Sequence, residues 1–131
     1  MTTLETNKID KLAMKARFNR AAVTYNQHDF LQKEVVLRTL QQLDYLRITP
    51  ENIIDLGSGT GTGSKALIKQ FKKANVFQLD IALSMLNCAR ARTKIPNRWF
   101  QKKRMICGDI ENLPIADRSF DLAFSSLALQ W

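Results

Sequence analysis

The sequence is short of the residues that most often announce a function. Its single histidine, His28, rules out a histidine-rich zinc site and leaves little material for a Ser-His-Asp triad. Its two cysteines, Cys88 and Cys107, are widely spaced and form no C-x-x-C, so free thiols in a reducing cytoplasm are expected and no metal site is. No apolar run approaches the roughly 18–20 residues of a membrane span. The opening stretch "MTTLETNKIDKLAMKAR" lacks the apolar core of a secretory signal, so the expected location is cytoplasmic, with no membrane partner. Repeats, low-complexity tracts and Pro/Gly/Ser linkers are also missing. What is present is ordinary for a globular chain: 131 residues, 45% apolar and 24% charged, enough for one domain with a hydrophobic core.

Charge is distributed unevenly. Residues 1–55 carry eight basic and seven acidic side chains, residues 56–108 eleven and one, and residues 109–131 one and four. The middle section therefore holds the whole excess of +8, including Arg90, Arg92, Lys94, Arg98, Lys102, Lys103 and Arg104. Such a section is a solvated face, a docking surface for an acidic protein, or a nucleic-acid site. No nucleic-acid motif accompanies it, and no nucleic-acid partner is expected.

Apolar spacing predicts a basic helix over 4–24, with Ile9, Leu12, Ala13 and Ala16 on one face and Lys8, Lys11 and Lys15 on another. A second helix is predicted over 28–47 with a stripe of Leu31, Val35, Leu40, Leu43 and Leu46. After Pro50 short apolar runs alternate with helical patterns: runs at 52–57, 75–80, 104–109 and 120–127, and helices at about 62–73 and 82–93. Strands apolar on both faces, separated by helices, imply a parallel sheet with helices on both sides, an α/β fold. Ligands in such sheets bind at the carboxyl ends of the strands, where this chain keeps Asp55, Asp80 and Asp109.

The stretch "DLGSGTGTG" (55–63) sets Asp55, Gly57, Gly59 and Gly61 in the pattern D-x-G-x-G-x-G. Glycines there let the backbone take positive φ and let a ligand approach closely, and the following helix offers unpaired N–H groups. The pattern fits a dinucleotide loop poorly, since G-x-G-x-x-G read from Gly57 or Gly59 ends on Thr62 or Ser64. No G-K-[ST] is present, which excludes a P-loop. Asp80 lies 19 residues beyond Gly61, where a carboxylate can accept from both hydroxyls of a ribose. Asp109 can accept from an exocyclic adenine amine, with the N–H of Ile110 facing a ring nitrogen. Three acids at three successive strand ends describe a site for an adenosine carrying a cationic or zwitterionic tail.

These residues resemble the class I S-adenosylmethionine-dependent methyltransferases. The glycine loop, "QLDIALSML" (78–86) and "GDIENLPIADRSFDLAFSS" (108–126) are similar to three successive family motifs in order and spacing. "RFNRAAVTYNQHDFLQKEV" (17–35) and "SSLALQW" (125–131) further resemble the bacterial malonyl-[acyl-carrier protein] O-methyltransferases of biotin synthesis. Ser58, Ala82 and Ser126 depart from the residues common in that family, where Cys, Ser and Asn are usual.

The resemblance implies a Rossmann-like fold, with S-adenosyl-L-methionine as cofactor and S-adenosyl-L-homocysteine as product. It implies that Gly57, Gly59 and Gly61 line the methionine portion, with Asp55 near its ammonium group, while Asp80 holds the ribose. Ile81 and Met85 would pack on the adenine, Asp109 and Ile110 would read its edge, and Tyr25 and Gln32 would help cover it. Ser125 and Ser126 fall on the substrate side, and no catalytic side chain is singled out. Residues 1–48 are expected to cover the cofactor site and residues 49–131 to form the first part of the cofactor-binding domain. The implied substrate is a malonyl thioester on an acidic acyl-carrier protein, converted to its methyl ester. A quinone-type C-methyltransferase and a non-catalytic cofactor-binding fragment are the alternatives. The family sheet has seven strands and this chain supplies four, so a fold truncated after the fourth strand is expected, with weak methyl transfer by this chain alone. A bare edge open to self-association is the further consequence.

Overall fold

A computed structural model describes residues 9–22, 24, 30–92 and 104–129. Helix α1 (Lys11–Ala21) is followed by α2 (Phe30–Leu43), which ends in a 3-10 turn at Asp44–Leu46. The alternating part then runs β1 (Asn52–Leu56), α3 (Thr62–Gln70), β2 (Asn75–Asp80), α4 (Leu83–Ala91), β3 (Met105–Cys107) and β4 (Leu122–Ser125). All strand pairs are parallel, in the order β3-β2-β1-β4. The alternation read from the sequence is thus the observed topology, with the glycine loop leaving the central strand β1. Beyond β4 no further strand is paired among the described residues. No described helix is long and apolar enough to cross a membrane.

The core follows from side-chain direction. In β1, Ile53 and Asp55 point to one face of the sheet and Ile54 and Leu56 to the other. On the first face Ile53 joins Val76, Phe124, Leu67 of α3, and Val36 and Leu40 of α2 in one buried cluster. Each such aliphatic contributes about 1.5–3 kcal/mol relative to leaving it in water. A second cluster joins Ala22 at the end of α1 to Ala82 and Met85, with Phe18 and Cys88 at its margin. On the other face Phe77 meets Phe120 edge to face, 5.1 Å between ring centres.

Several boundaries and two helix faces differ from expectation. Helix α1 starts at Lys11 because Asp10 caps it, its Oδ1 accepting from the N–H groups of Leu12 and Ala13 at 3.0 Å each. Residues 4–8 of the predicted helix lie outside the described residues. The predicted apolar face of α1 is the solvent face: Leu12 is 80% exposed, and Ile9, Ala13 and Ala16 are exposed with it. The helix turns inward on Lys11, Met14 and Phe18 instead, because two large apolar side chains bury more area than small alanines. Leu31 of α2 and Leu46 of the following 3-10 turn are likewise exposed, and the inward row of α2 is Gln32, Val36, Leu40 and Leu43. Helix α3 stops at Gln70, where Phe71 leaves helical geometry to enter the core and its N–H still reaches Leu67 O at 2.8 Å. The third and fourth strands are shorter than the runs that signal them. Gly108 ends β3, and Leu127 leaves strand geometry with φ 56° two residues after β4.

Candidate functional site

The glycine loop is held over the end of β2 by backbone bonds. Leu79 O accepts from Gly57 N at 2.8 Å and from Ser58 N at 3.0 Å. Gly57, Gly59 and Gly61 all take positive φ, at 71°, 55° and 90°. Each stands against something different. A methyl group on Gly57 would lie 2.2 Å from the Ala128 side chain, so the segment after β4 rests directly on it. On Gly59 it would meet nothing within 4 Å. On Gly61 it would meet Ala89 of α4 at 3.2 Å and Gln78 Oε1 at 3.4 Å.

Gly59 opens onto a cavity of about 170 Å³ at the carboxyl ends of the strands. Its floor is Gly57, Gly59, Asp80 and Ile81, with Met85 from α4 and Gln32 from α2. One wall is Asp109, Ile110 and Glu111 after β3, and another is Ser126–Leu129 after β4. Helix α1 closes the remaining side with Lys11, Met14 and Phe18.

Asp80 is the best-fixed acid in this cavity. Its Oδ2 accepts from Gly59 N and its Oδ1 from Ala82 N, both at 2.8 Å, so the carboxylate is tied to the loop and to the start of α4. Burial raises its pKa above the ordinary carboxylate range, while the N–H groups of Ala82 and Gly59 act against that shift. Each oxygen keeps an acceptor position for a further donor. Ser126 brings a second polar group: it is 8% exposed, lines the cavity, and its Oγ has no partner within the described protein. A buried hydroxyl without a partner is costly, and a ligand donor or acceptor would relieve it.

Asp109 also lines the cavity, and its carboxylate is engaged. Its Oδ2 accepts from Lys11 Nζ at 2.6 Å and its Oδ1 from Glu111 N at 3.0 Å. Lys11 donates to Glu111 as well. The ammonium holds the Asp109 carboxyl below the usual carboxylate range, and the two acids raise the pKa of Lys11 in return.

Three of the sequence-derived site residues are placed elsewhere. Asp55 does not face the cavity. It lies 2% exposed under α3, accepts from Ser64 Oγ at 2.6 Å, and packs 3.1 Å from where a Gly63 methyl would stand. It belongs to the interior of β1, paired with Gln78 and Phe124, so its side chain follows Ile53 onto the helix-covered face. Burial pushes its carboxyl up to about 7, with the Ser64 bond opposing the shift and the nearby Asp80 charge adding to it. Gly61 meets α4 rather than the cavity, and Ser125 donates to Leu56 O at 3.0 Å across the β1–β4 pair. Tyr25 lies outside the described residues. Gly57, Gly59, Asp80, Ile81, Met85, Asp109, Ile110, Gln32 and Ser126 line this one cavity together.

Sequence reasoning missed Lys11, Met14, Phe18, Glu111 and the leucines flanking Ala128. Met14, Phe18 and Ala22 recur every fourth residue, a helical row that the alanine-based stripe obscured.

Comparison with known proteins identifies the family to which this fold belongs. Residues 54–131 match the family described as a methyltransferase domain. The chain is 40% identical over 129 residues to a malonyl-[acyl-carrier protein] O-methyltransferase of Gallionella capsiferriformans, covering 94% of this chain and 43% of that protein. It is 44% identical over 124 residues to the enzyme of the same name from Xylella fastidiosa, covering 93% of this chain and 40% of that one. Among solved structures it is similar to a SAM-dependent methyltransferase from Thermotoga maritima, with a TM-score of 0.57, 26% identity, and coverage of 86% of this chain and 46% of that one. This chain therefore spans about two fifths of the length of these curated relatives. Their likeness and the family match agree on one conclusion: the chain belongs to the methyltransferase-domain family.

Proposed function

We propose that this chain provides the S-adenosyl-L-methionine site of a malonyl-[acyl-carrier protein] O-methyltransferase. The observation that carries the cofactor reading is Asp80, clamped at both oxygens by backbone N–H groups at the floor of a cavity, with acceptor positions to spare. Two ribose hydroxyls match that donor demand. Gly59 leaves room beside it, since nothing lies within 4 Å of where its methyl would stand. Ile81 and Met85 supply an apolar surface for a base, and the orphan Ser126 hydroxyl waits on the segment after β4. These residues fit the group.

When bound, S-adenosyl-L-methionine supplies an electrophilic methyl group on a sulfonium. The protein's part is to bind, orient and exclude water. Asp80 accepts from the ribose and Asp109 from the adenine amine. Met14 and Phe18 of α1 cover the cavity, and Gln32 of α2 adds to its lining. The Ser126 hydroxyl would hydrogen-bond a polar atom of the bound ligand. No base is needed for a malonyl carboxylate, because carboxyl groups titrate near 4 and the acceptor is already ionised. Proximity and alignment then supply most of the rate.

The substrate reading is supported by the names of relatives about 40% identical over nearly the whole of this chain. The partner would be an acyl-carrier protein, and the basic section, with Arg90, Arg92 and Arg104 among the described residues, suits an acidic one. Calorimetric titration with S-adenosyl-L-homocysteine tests the site: the expected result is binding that Asp80→Ala removes. No heat with the intact chain, or unchanged affinity in the variant, would refute it.

A further inference from the structure

Lys11 reaches the cavity through the way α1 is mounted. Phe18 and Ala22 pack on the Met85 cluster, and Asn19 Oδ1 accepts from Ser84 N at 3.1 Å and from Ser84 Oγ at 2.5 Å. That fixes the later turns of α1 on the start of α4. Met14 stands one turn before Phe18 in the same inward row, and Lys11 lies nearly one turn before Met14, so the mounting presents its side chain at the cavity rim.

There it meets two acids. Lys11 Nζ lies 2.6 Å from Asp109 Oδ2 and also bonds Glu111, while the Glu111 N–H holds Asp109 Oδ1 at 3.0 Å. The ammonium and the Asp109 carboxylate are both at the rim, with side chains 35% and 32% exposed. Two neighbouring carboxylates without a cation repel, which favours turning one of them away. Lys11 between them offsets that repulsion. Asp109 is then held at each oxygen, and its remaining lone pairs point in fixed directions.

We propose that Lys11 is a positioning residue for base recognition: it fixes the Asp109 carboxylate as an acceptor for an exocyclic amine, so that α1 takes part in choosing the purine. The inference rests on the S-adenosyl-L-methionine reading. Lys11 itself contacts Asp109 and Glu111, and it acts on the ligand only through Asp109.

The test compares S-adenosyl-L-homocysteine with its analogue lacking the exocyclic amine, by titration of the intact chain. The wild-type protein should prefer the amine-bearing ligand by roughly tenfold or more, the range for a hydrogen bond to a charged group. Lys11→Met should cut that preference by about threefold or more, chiefly by weakening the amine-bearing ligand, and Lys11→Arg should restore most of it. Raising salt should erode the wild-type preference in the same direction, because the pair is at the surface. The amine-free analogue also reports whether the Lys11→Met variant keeps a folded site. An equal loss for both ligands, or an unchanged ratio, overturns the inference and leaves the cofactor reading standing. Failure of the wild-type chain to bind either ligand overturns both.

Discussion

Two glycines of one loop should answer the same substitution differently, one chiefly in stability and the other chiefly in ligand binding. Gly57→Ala places a methyl 2.2 Å from the Ala128 side chain, in a backbone with φ 71°. The left-handed backbone costs about 1–2 kcal/mol for a non-glycine residue. Forcing a methyl into a filled space costs about 1–3 kcal/mol more, so the sum is about 2–5 kcal/mol. Gly59→Ala carries the backbone term alone, about 1–2 kcal/mol, since nothing lies within 4 Å of its methyl. Its methyl enters the cavity, and its loss should appear in ligand binding. Urea unfolding followed by far-ultraviolet circular dichroism separates the two. With a slope of about 1–3 kcal/mol per molar, Gly57→Ala should lower the midpoint by roughly 1 M or more, and Gly59→Ala by clearly less. Titration with S-adenosyl-L-homocysteine should then show Gly59→Ala weakened out of proportion to its stability. A Gly57→Ala midpoint indistinguishable from wild type, or a Gly59→Ala variant that is the less stable of the two, would refute the packing argument.

Asp55 gives stability a pH dependence of known sign. Its folded pKa of about 7 lies above the ordinary 3.8, so the folded state holds a proton the unfolded chain has released, and stability falls as pH rises from about 4 to 7. Asp55→Asn should flatten that fall, read as a smaller difference between urea midpoints at the two ends of the window; an equal slope in the variant would refute the burial argument. Ser64→Ala removes the 2.6 Å bond to the same carboxyl and should cost about 1–3 kcal/mol, the penalty for stranding a buried polar group. Ser126→Ala should leave stability unchanged or raise it by up to about 1 kcal/mol, because the hydroxyl it deletes has no protein partner. A thermal melt showing marked destabilisation would mean that hydroxyl is already satisfied.

How much of this could be read beforehand depends on how local the cause was. The sheet was legible because strand and helix periods alternate along the chain, and parallel strands buried on both sides need the connecting helices that the sequence spells out. The role of Asp80 as an acid in the cavity was legible for a similar reason: it is the last residue of β2, and a strand's last side chain lies at the carboxyl-terminal edge of the sheet whichever face it takes. Asp55 was misplaced because it is one residue short of that edge. Leu56 still pairs after it, and the alternation of side chains sends Asp55 under α3, where Ser64 rather than a ligand answers it. Position along the strand, and not the type of residue, separates the two acids.

The helix α1 failed for the opposite cause, since its inward face is decided by what it lands on. Judged as an isolated helix, Leu12 with Ala13 and Ala16 makes as good a stripe as Met14 with Phe18. What breaks the tie is the surface offered by α4: Met85 and Ala82 accept an aromatic ring, and Ser84 is set to pair with Asn19. Once those contacts fix the rotation of the helix, Lys11 has no choice of direction, and it meets Asp109 and Glu111 across 98 and 100 residues of sequence. Of these two acids, Asp109 was read from the sequence as a ligand acceptor standing alone, and Glu111 was not singled out. With the ammonium in place Asp109 is an ion-paired acceptor at the cavity rim, tied at both oxygens before any ligand arrives.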